Sequence, residues 1–313
     1  MKNLKKIKGD ASFRKFFRKQ NKNFSSILIF AKREKFKNLL VYDAINKILN
    51  KNKILAPKLL NNNYNKNNIE IQDFGNQTIF SILTKKRINK FQHFKKIIKE
   101  LNKIQSIKTR HIKNFKGKKY TIPEYKKEII IKEAYLFCDW YIKKNLPKNK
   151  REKFNIKYKN IIKELVSNLK LKNNVFVHRD FHVSNLMLVN DQIAVIDNQD
   201  ALIGNRAYDL ASLIDDVRLK TLISFKKRIY KHYLSDQSNL DKFKFKNDFE
   251  ILSVLRNLKI IGIFTRLAIR DGKKKYLKLI PYTWSLINMR INENKIFNDL
   301  KDLLHKNFKS RIK

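Results

Sequence analysis

One stretch constrains this chain more than any other: residues 175–201, VFVHRDFHVSNLMLVNDQIAVIDNQDA. Val175-Phe176-Val177 reads as a short buried strand, with His178-Arg179-Asp180 at its end. Two apolar runs, 186–189 and 192–196, flank Asn190-Asp191. A tight polar turn between hydrophobic arms predicts a hairpin. With residues 190 and 191 as the turn, Asn185 falls opposite Ile196, directly beside Asp197. The hairpin then returns an amide oxygen and a carboxylate to one end. Asp180, five residues before Asn185, reaches that end through the intervening loop.

This donor set suits a magnesium ion on phosphates. Mg²⁺ is a hard cation that takes one or two protein oxygens and completes its shell with phosphate oxygens and water. Phosphoryl transfer also needs a separate carboxylate to orient the attacking hydroxyl. Asn185 and Asp197 fit the metal, and Asp180 fits the hydroxyl. The order H-x-D-x-x-x-x-N, then an apolar strand, then Asp, is that of a kinase catalytic loop with its second metal ligand. Taken singly, each residue has a structural alternative. His178 could be a buried histidine bonding backbone, Asp180 or Asn185 could cap a turn, and Asp197 could end a strand. His182 and Asp200 lie near enough to touch a substrate, with loop structure as the alternative for each.

Around this block the periodicity changes along the chain. Residues 12–19 and 26–31 read as strands, a helix follows at about 36–50, and 69–73 alternates as a strand that Gly75 ends. The Asn-rich stretch 61–68 reads as a surface loop. Beyond residue 76, helical spacing dominates, with segments near 124–144, 152–170, 206–219, 222–234, 248–268 and 284–305. The 175–196 segment is the one β insert among them. The expectation is an α+β, bilobal, protein-kinase-like fold. Residues 1–75 would form a strand-rich nucleotide-binding lobe, and residues 76–313 a mainly helical lobe with the catalytic loop and acceptor site.

Composition narrows the partners. The formal net charge is +45, a field that attracts polyanions. However, it comes from 57 Lys against 15 Arg, spread over the whole chain and accompanied by abundant Asn. That pattern suits a solvated surface better than a recognition stripe, so no specific nucleic-acid partner is expected. A single Cys excludes a disulfide framework or a Cys-rich zinc site and points to a reducing cytoplasm. No apolar run reaches the roughly 18 residues of a membrane span, and no apolar segment follows the basic N-terminus as a secretory signal would require. The sequence leaves the oligomeric state open.

Four blocks, GDASFRKFFR at 9–18, IEIQDFG at 69–75, VHRDFHVSNLM with IDNQDALIGNRAYDLASLIDD at 177–216, and RNLKIIGIFTRLAIRDGKKKYLKLIP at 256–281, carry a family likeness. The chain resembles the aminoglycoside phosphotransferase and choline kinase superfamily. Within it, the chain is most similar to bacterial kinases that phosphorylate the anomeric hydroxyl of N-acetylmuramate and N-acetylglucosamine. The resemblance implies ATP and Mg²⁺ as cofactors and a small sugar or alcohol as substrate. It implies that Gly9 to Arg14, with Ser12 and Phe13, covers the ATP phosphates. It places Lys32 where a kinase lysine meets phosphate, and makes 69–74, with Gln72 and Asp73, a hinge that holds adenine by its backbone. Asp209 would be a buried structural acid or a helix cap. The chain departs from the pattern at Asn198, where an apolar residue is usual. It departs again in helix 36–50, whose only acid is Asp43. In the C-terminal block, Arg266 and Arg270 share a helical face. Arg266 would take an acceptor carboxylate in bidentate fashion, or the pair would bond Asp271 or helix carbonyls. Aminoglycosides, choline and homoserine-like alcohols are alternative acceptors. A non-catalytic nucleotide-binding module is the alternative from another class.

Overall fold

Alternating isoleucines build the N-terminal sheet. In this computed structural model, which describes residues 4–7, 14–20, 24–31, 38–85 and 87–312, five strands pair antiparallel. They are β1 (Leu4–Ile7), β2 (Lys15–Gln20), β3 (Ser25–Phe30), β4 (Leu59–Asn63) and β5 (Asn68–Gln72), in the order β1-β2-β3-β5-β4. Ile27 lies opposite Ile71, and Ile29 opposite Ile69. Residues two apart share a sheet face, so these four side chains meet as one layer. They pack with Leu39 and Tyr42 of α1 (Asn38–Lys51) in a buried core.

The Asn-rich stretch corrects an expectation. Asn61, Asn62 and Asn63 are not loop but the outer strand, paired with Glu70, Ile69 and Asn68. A 3₁₀ turn at Tyr64–Lys66 closes the hairpin. An edge strand permits this composition, because the backbone is satisfied by one neighbour while the three Asn side chains stay exposed. After α2 (Ile79–Leu83) and α3 (Lys90–Gln105) comes a second unanticipated hairpin, β6 (His111–Lys113) with β7 (Lys119–Thr121). Its three-residue strands are too short to show a period. The expected insert follows as β8 (Asn173–Val177), β9 (Leu186–Val189) and β10 (Gln192–Val195), with one further strand, β11 (Leu202–Asn205).

Packing divides the chain into two compact units, Met1–Pro123 with Val175–Ile203, and Glu124–Asn174 with Gly204–Lys313. The second is helical: α4 (Lys127–Ala134), a π-helical turn at Phe137–Ile142 leading into α5 (Lys143–Asn145), α6 (Lys148–Ser167), α7 (Ala207–Ile214), α8 (Ile223–Ser235), α9 (Lys242–Arg270), α10 (Ile280–Ile291) and α11 (Asn298–Asn307). Two expected helices are broken. The 124–144 segment bends through the π turn, and 284–305 divides at Asn294, whose side chain accepts from the Ile296 amide to start a new turn. Helix α9 starts six residues earlier than its apolar spacing suggests, because Asp241 caps it by accepting from the Phe243 and Lys244 amides. From Phe245 to Ala268, α9 buries residues on nearly every side, as expected of a helix at the centre of its unit. Its Gly262 marks the closest approach: a Cβ there would lie 2.3 Å from the Leu136 carbonyl oxygen. Asp215, fully buried, accepts from Arg290 at 2.9 Å and Ser253 at 2.6 Å and pairs with Lys226 at 3.3 Å. Asp248 of α9 holds the turn that follows α6 by accepting the Lys170 and Leu171 amides, both at 2.8 Å.

Candidate active site

The hairpin forms in the register read from the sequence. Gln192 pairs with Val189, and Val195 with Leu186. Asn190 and Asp191 both have positive φ, the backbone of a two-residue turn that matches strand twist. The Ile196 amide donates to the Asn185 carbonyl at 3.0 Å, which sets Asn185 opposite Ile196 and next to Asp197. Each arm of the hairpin is anchored to another segment of the first unit: the Val195 amide donates to the Leu55 carbonyl, and the Leu188 amide to the Gln77 carbonyl.

His178 organises the loop before it. The ring is fully buried. Its Nδ1 accepts the Asp180 amide at 3.3 Å, so Nε2 carries the proton and donates to the Ile196 carbonyl at 3.2 Å. One ring thereby ties the residue that opens the loop to the residue before Asp197. The Asp180 carbonyl accepts the His182 amide at 3.0 Å and Asn185 Nδ2 at 3.1 Å. That second bond directs the amide nitrogen of Asn185 into the loop and leaves Oδ1 as its remaining acceptor. His182 is buried, and its Nε2 lies 3.4 Å from the same Nδ2. Asp200 is exposed. Its carbonyl accepts Arg179 Nη1 at 3.3 Å, and its Oδ2 accepts Gln199 Nε2 at 2.7 Å.

Asp197 sits in the left-handed region, φ 63°, which swings its carboxylate off the strand line. The side chain is 38% exposed and lies 3.7 Å from Arg14. Desolvation by the surrounding protein raises its pKa above the usual carboxylate range. Arg14 opposes that shift, and the nearby charges of Asp180 and Asp200 add to it. The carboxylate is thus crowded at longer range while keeping one open face. Three carboxylates within electrostatic reach, with one cation beside them, make a place where added positive charge is favourable. Beneath it, the buried Tyr42 hydroxyl bonds Asn46 and the Asp197 backbone, and its pKa is raised chiefly by burial. Asn198, where an apolar residue was expected, is fully buried and donates to Asn46 Oδ1 at 2.8 Å and the Val195 carbonyl at 3.1 Å. An amide here is tolerated because α1 supplies a second amide facing it.

Asp180, Asn185 and Asp197 are therefore brought together, with His182 and Asp200 adjoining. Gln72 ends β5 and Asp73 follows it, in the same unit. Asp73 does not present a free carboxylate: it is clamped by Arg18 at 2.5 Å and 3.0 Å, and it accepts the Gly75 amide at 2.8 Å. The Gln72 amide donates to Lys58 at 2.9 Å, while its buried side-chain Oε1 has no hydrogen-bond partner among the described residues. Ser12, Phe13 and Lys32 lie outside the described residues. Asp43, the lone acid of α1, pairs with Lys47 at 2.8 Å on its own helix. In the helical unit, Arg270 bonds Asp271 through two nitrogens, the alternative raised for it. Arg266 is half-buried. Desolvation, followed by the charge of Arg270, lowers its pKa, and its Nε has no hydrogen-bond partner among the described residues. Asp209 is buried in the first turn of α7. Sequence reasoning missed the Arg14–Asp197 pair and the Tyr42–Asn46–Asn198 network. The unusual Asn198 was the one available signal for the latter.

Residues 3–245 match the family described as phosphotransferase enzyme family. The chain is 28% identical over 280 residues to the N-acetylmuramate/N-acetylglucosamine kinase of Neisseria meningitidis serogroup B, covering 87% of this chain and 80% of that protein. The same-named protein of Pseudomonas putida is 26% identical, with 94% and 85% covered. Among solved structures, an amicoumacin kinase in complex with AMP-PNP, Ca²⁺ and its ligand superposes with a TM-score of 0.63 at 14% identity, covering 92% of this chain and 89% of that one. These likenesses agree with the α+β, protein-kinase-like architecture.

Proposed function

The chain belongs to the phosphotransferase enzyme family, and from that premise we propose that it transfers the terminal phosphate of ATP to the anomeric hydroxyl of an N-acetylmuramate- or N-acetylglucosamine-type amino sugar. That it is a small-molecule kinase follows from the family and from the kinase names of its relatives. The acceptor is drawn from those names, borne by proteins alike over 87–94% of this chain. The observation that carries the chemistry is the hairpin register, which brings Asn185 and Asp197 to one end with Asp180 on the adjoining loop.

A divalent ion fits this donor set. Asn185 Oδ1 is left over once Nδ2 is committed, Asp197 keeps an open face, and Asp180 and Asp200 raise the local negative charge. We assign Asn185 and Asp197 to Mg²⁺, which when bound neutralises phosphate charge. Asp180 orients the acceptor hydroxyl and takes its proton. Arg14, at 3.7 Å from Asp197, holds a positive charge at the carboxylate and is poised to meet phosphate. His178 positions Asp180 through its amide. We assign Ser12, Phe13, Lys32 and the backbone of Gln72 and Asp73 to the nucleotide, and His182, Asp200 and Arg266 to the acceptor. Residues 1–75 then serve ATP, and residues 76–313 serve catalysis and acceptor, a division by function and not by packing. Such a reaction belongs in the cytoplasm, where ATP is. Among the described residues no helix is long and apolar enough to cross a membrane. The dispersed Lys charge would give nucleic acid only weak, salt-sensitive contact.

The test is an ATP-consumption assay of the purified protein with N-acetylmuramate, N-acetylglucosamine, choline and kanamycin side by side. Turnover is expected with the amino sugars. Turnover with choline or kanamycin and neither sugar would defeat the acceptor assignment and leave the phosphotransfer chemistry standing.

A further inference from the structure

One guanidinium on β2 holds the chain where it leaves β5. Arg18 lies opposite Ile27, and Ile27 opposite Ile71. Partners across a ladder share a sheet face, and so do residues two apart on one strand. Asp73, two past Ile71, therefore comes within reach of Arg18. Arg18 Nε lies 2.5 Å from Asp73 Oδ2, and Nη2 donates to Asp73 Oδ1 at 3.0 Å. Nη2 also donates to the Gly75 carbonyl at 2.9 Å, and Nη1 to Asn76 Oδ1 at 2.6 Å. The Asp73 carboxylate in turn accepts the Gly75 amide at 2.8 Å, and Gly75 takes a φ of 79°. The Asp73 side chain is 2% exposed, so this is a buried pair and not a loose surface contact.

The clamp occupies some backbone groups and spares others. The carbonyl and amide of Gly75 are taken. The Gln72 amide goes to the Lys58 carbonyl, and the Asn76 carbonyl accepts the Thr78 amide. The amides and carbonyls of Asp73 and Phe74 have no hydrogen-bond partner among the described residues. Asp73 is half-buried as a residue although its side chain is almost fully covered, so the surface it keeps is main chain. Two consecutive residues are thus held at their flanks with their backbone donors and acceptors open. A donor beside an acceptor complements the amino-bearing edge of adenine, which offers a donor at its amino group and an acceptor at the neighbouring ring nitrogen. Guanine presents the reverse order. A rigid frame tells the two apart, because the wrong base leaves groups unpaired; a loose frame can shift by one group and take either.

We propose that Arg18 is a positioning residue for the nucleotide base: by clamping Asp73, Gly75 and Asn76 it fixes the Asp73 and Phe74 peptide groups in the order that pairs with adenine and rejects guanine. Arg18 acts through that segment and not by contact with the nucleotide, a role that rests on the assignment of the segment to the nucleotide above. The phosphate end lies elsewhere. Arg14, four residues earlier and about 13 Å away at extended rise, faces Asp197. Loss of the clamp should therefore be felt at the base and not at the phosphates.

Calorimetric titration of the full chain with ATP, GTP and inorganic tripolyphosphate, each with Mg²⁺, tests it. The unaltered protein is expected to bind ATP more tightly than the other two. ATP no tighter than tripolyphosphate would mean that the base is not read, which would defeat the nucleotide assignment and this role with it. Arg18→Lys keeps a positive charge against the buried Asp73, but a single ammonium cannot span Asp73, Gly75 and Asn76 as a planar fork does. It should weaken ATP by about tenfold, narrow the lead of ATP over GTP, and leave tripolyphosphate within about twofold. Should that variant not fold, Asn76→Ala, which removes one arm of the clamp at an exposed residue, carries the test. It should weaken ATP by about threefold and spare tripolyphosphate; unchanged ATP affinity there would overturn the proposal. If the unaltered protein prefers ATP and Arg18→Lys keeps that preference in full, Arg18 is only the counter-ion of Asp73 and the proposal falls. An equal loss for ATP and tripolyphosphate would overturn it too, as a general loosening of the unit.

Discussion

His178 and Asn185 are fixed by backbone atoms before any ligand arrives. His178 uses both ring nitrogens, one on the Asp180 amide and one on the Ile196 carbonyl. Asn185 gives its Nδ2 to the Asp180 carbonyl. These two residues hold the loop, and in the proposed reaction the Asp180 carboxylate orients the acceptor hydroxyl. Replacing Asp180 by Asn should therefore keep the loop and lose the base. Turnover is expected to fall by about 10²–10⁴-fold, the usual effect of a positioned proton acceptor, while ATP affinity measured by titration stays within about threefold, since neither of the residues proposed to hold the metal is altered. Near-normal turnover would remove Asp180 from its role. The spacing of these residues in sequence was enough to foresee their meeting, because a two-residue turn fixes which positions of a hairpin oppose each other. Arg14 was not foreseen as the partner of Asp197, for the opposite reason. It reaches Asp197 across 183 positions, and no local pattern encodes such a separation.

Elements with a clear period were legible in the sequence, and elements held by their neighbours were not. The isoleucines of β3 and β5 alternate, and the apolar stripe of α1 repeats at helical spacing, so both could be read. Strand β4 and the β6–β7 hairpin exist because an adjacent strand satisfies their backbones, and Asn or Lys side chains at an exposed edge carry no hydrophobic signal. The break in the 124–144 helix likewise lies outside its own periodicity. There the π turn at Phe137–Ile142 begins where α9 crosses closely at Gly262. Such turns commonly accommodate a local irregularity in a longer helix. Gly262→Ala should test the crossing. In an ordinary exposed helix this change is favourable by about 1 kcal/mol, but here the new carbon would sit 2.3 Å from backbone carbonyl oxygen, which cannot swing aside as a side chain can. Destabilisation by about 1–3 kcal/mol is expected from overpacking, measured as a shift of the urea midpoint at unchanged slope. A stabilised variant would show that the crossing yields easily.

Over the whole molecule, the net charge of +45 rests on 72 basic residues against 27 acids, so every carboxylate protonated in acid leaves the chain more positive. Exposed acids contribute diffusely, through repulsion that salt screens. Asp215 contributes differently. Fully buried between Arg290, Lys226 and Ser253, it is the counter-charge of two cations that have almost no access to water. Burial alone would raise its pKa; the charges of Arg290 and Lys226 and the bonds from Arg290 and Ser253 outweigh that and hold it below the usual carboxylate value. The sign of the linkage follows. A depressed folded pKa contributes stability that is complete above the unfolded value, near 3.9, and that is lost as pH falls below it toward the folded pKa. Asp215→Asn should therefore cost about 3–5 kcal/mol at pH 7, the penalty for leaving buried cations without their partner. The gap between it and the unaltered protein should narrow as pH drops from 5 toward 3. Added salt should restore part of the acid stability common to both proteins, but it should leave the gap at pH 7 nearly unchanged, since buried pairs are poorly screened. Urea titrations at a series of pH values, each at low and high salt, separate the two contributions. A gap that stayed constant across that range would mean that Asp215 holds the fold by its shape and hydrogen bonds and not by its charge.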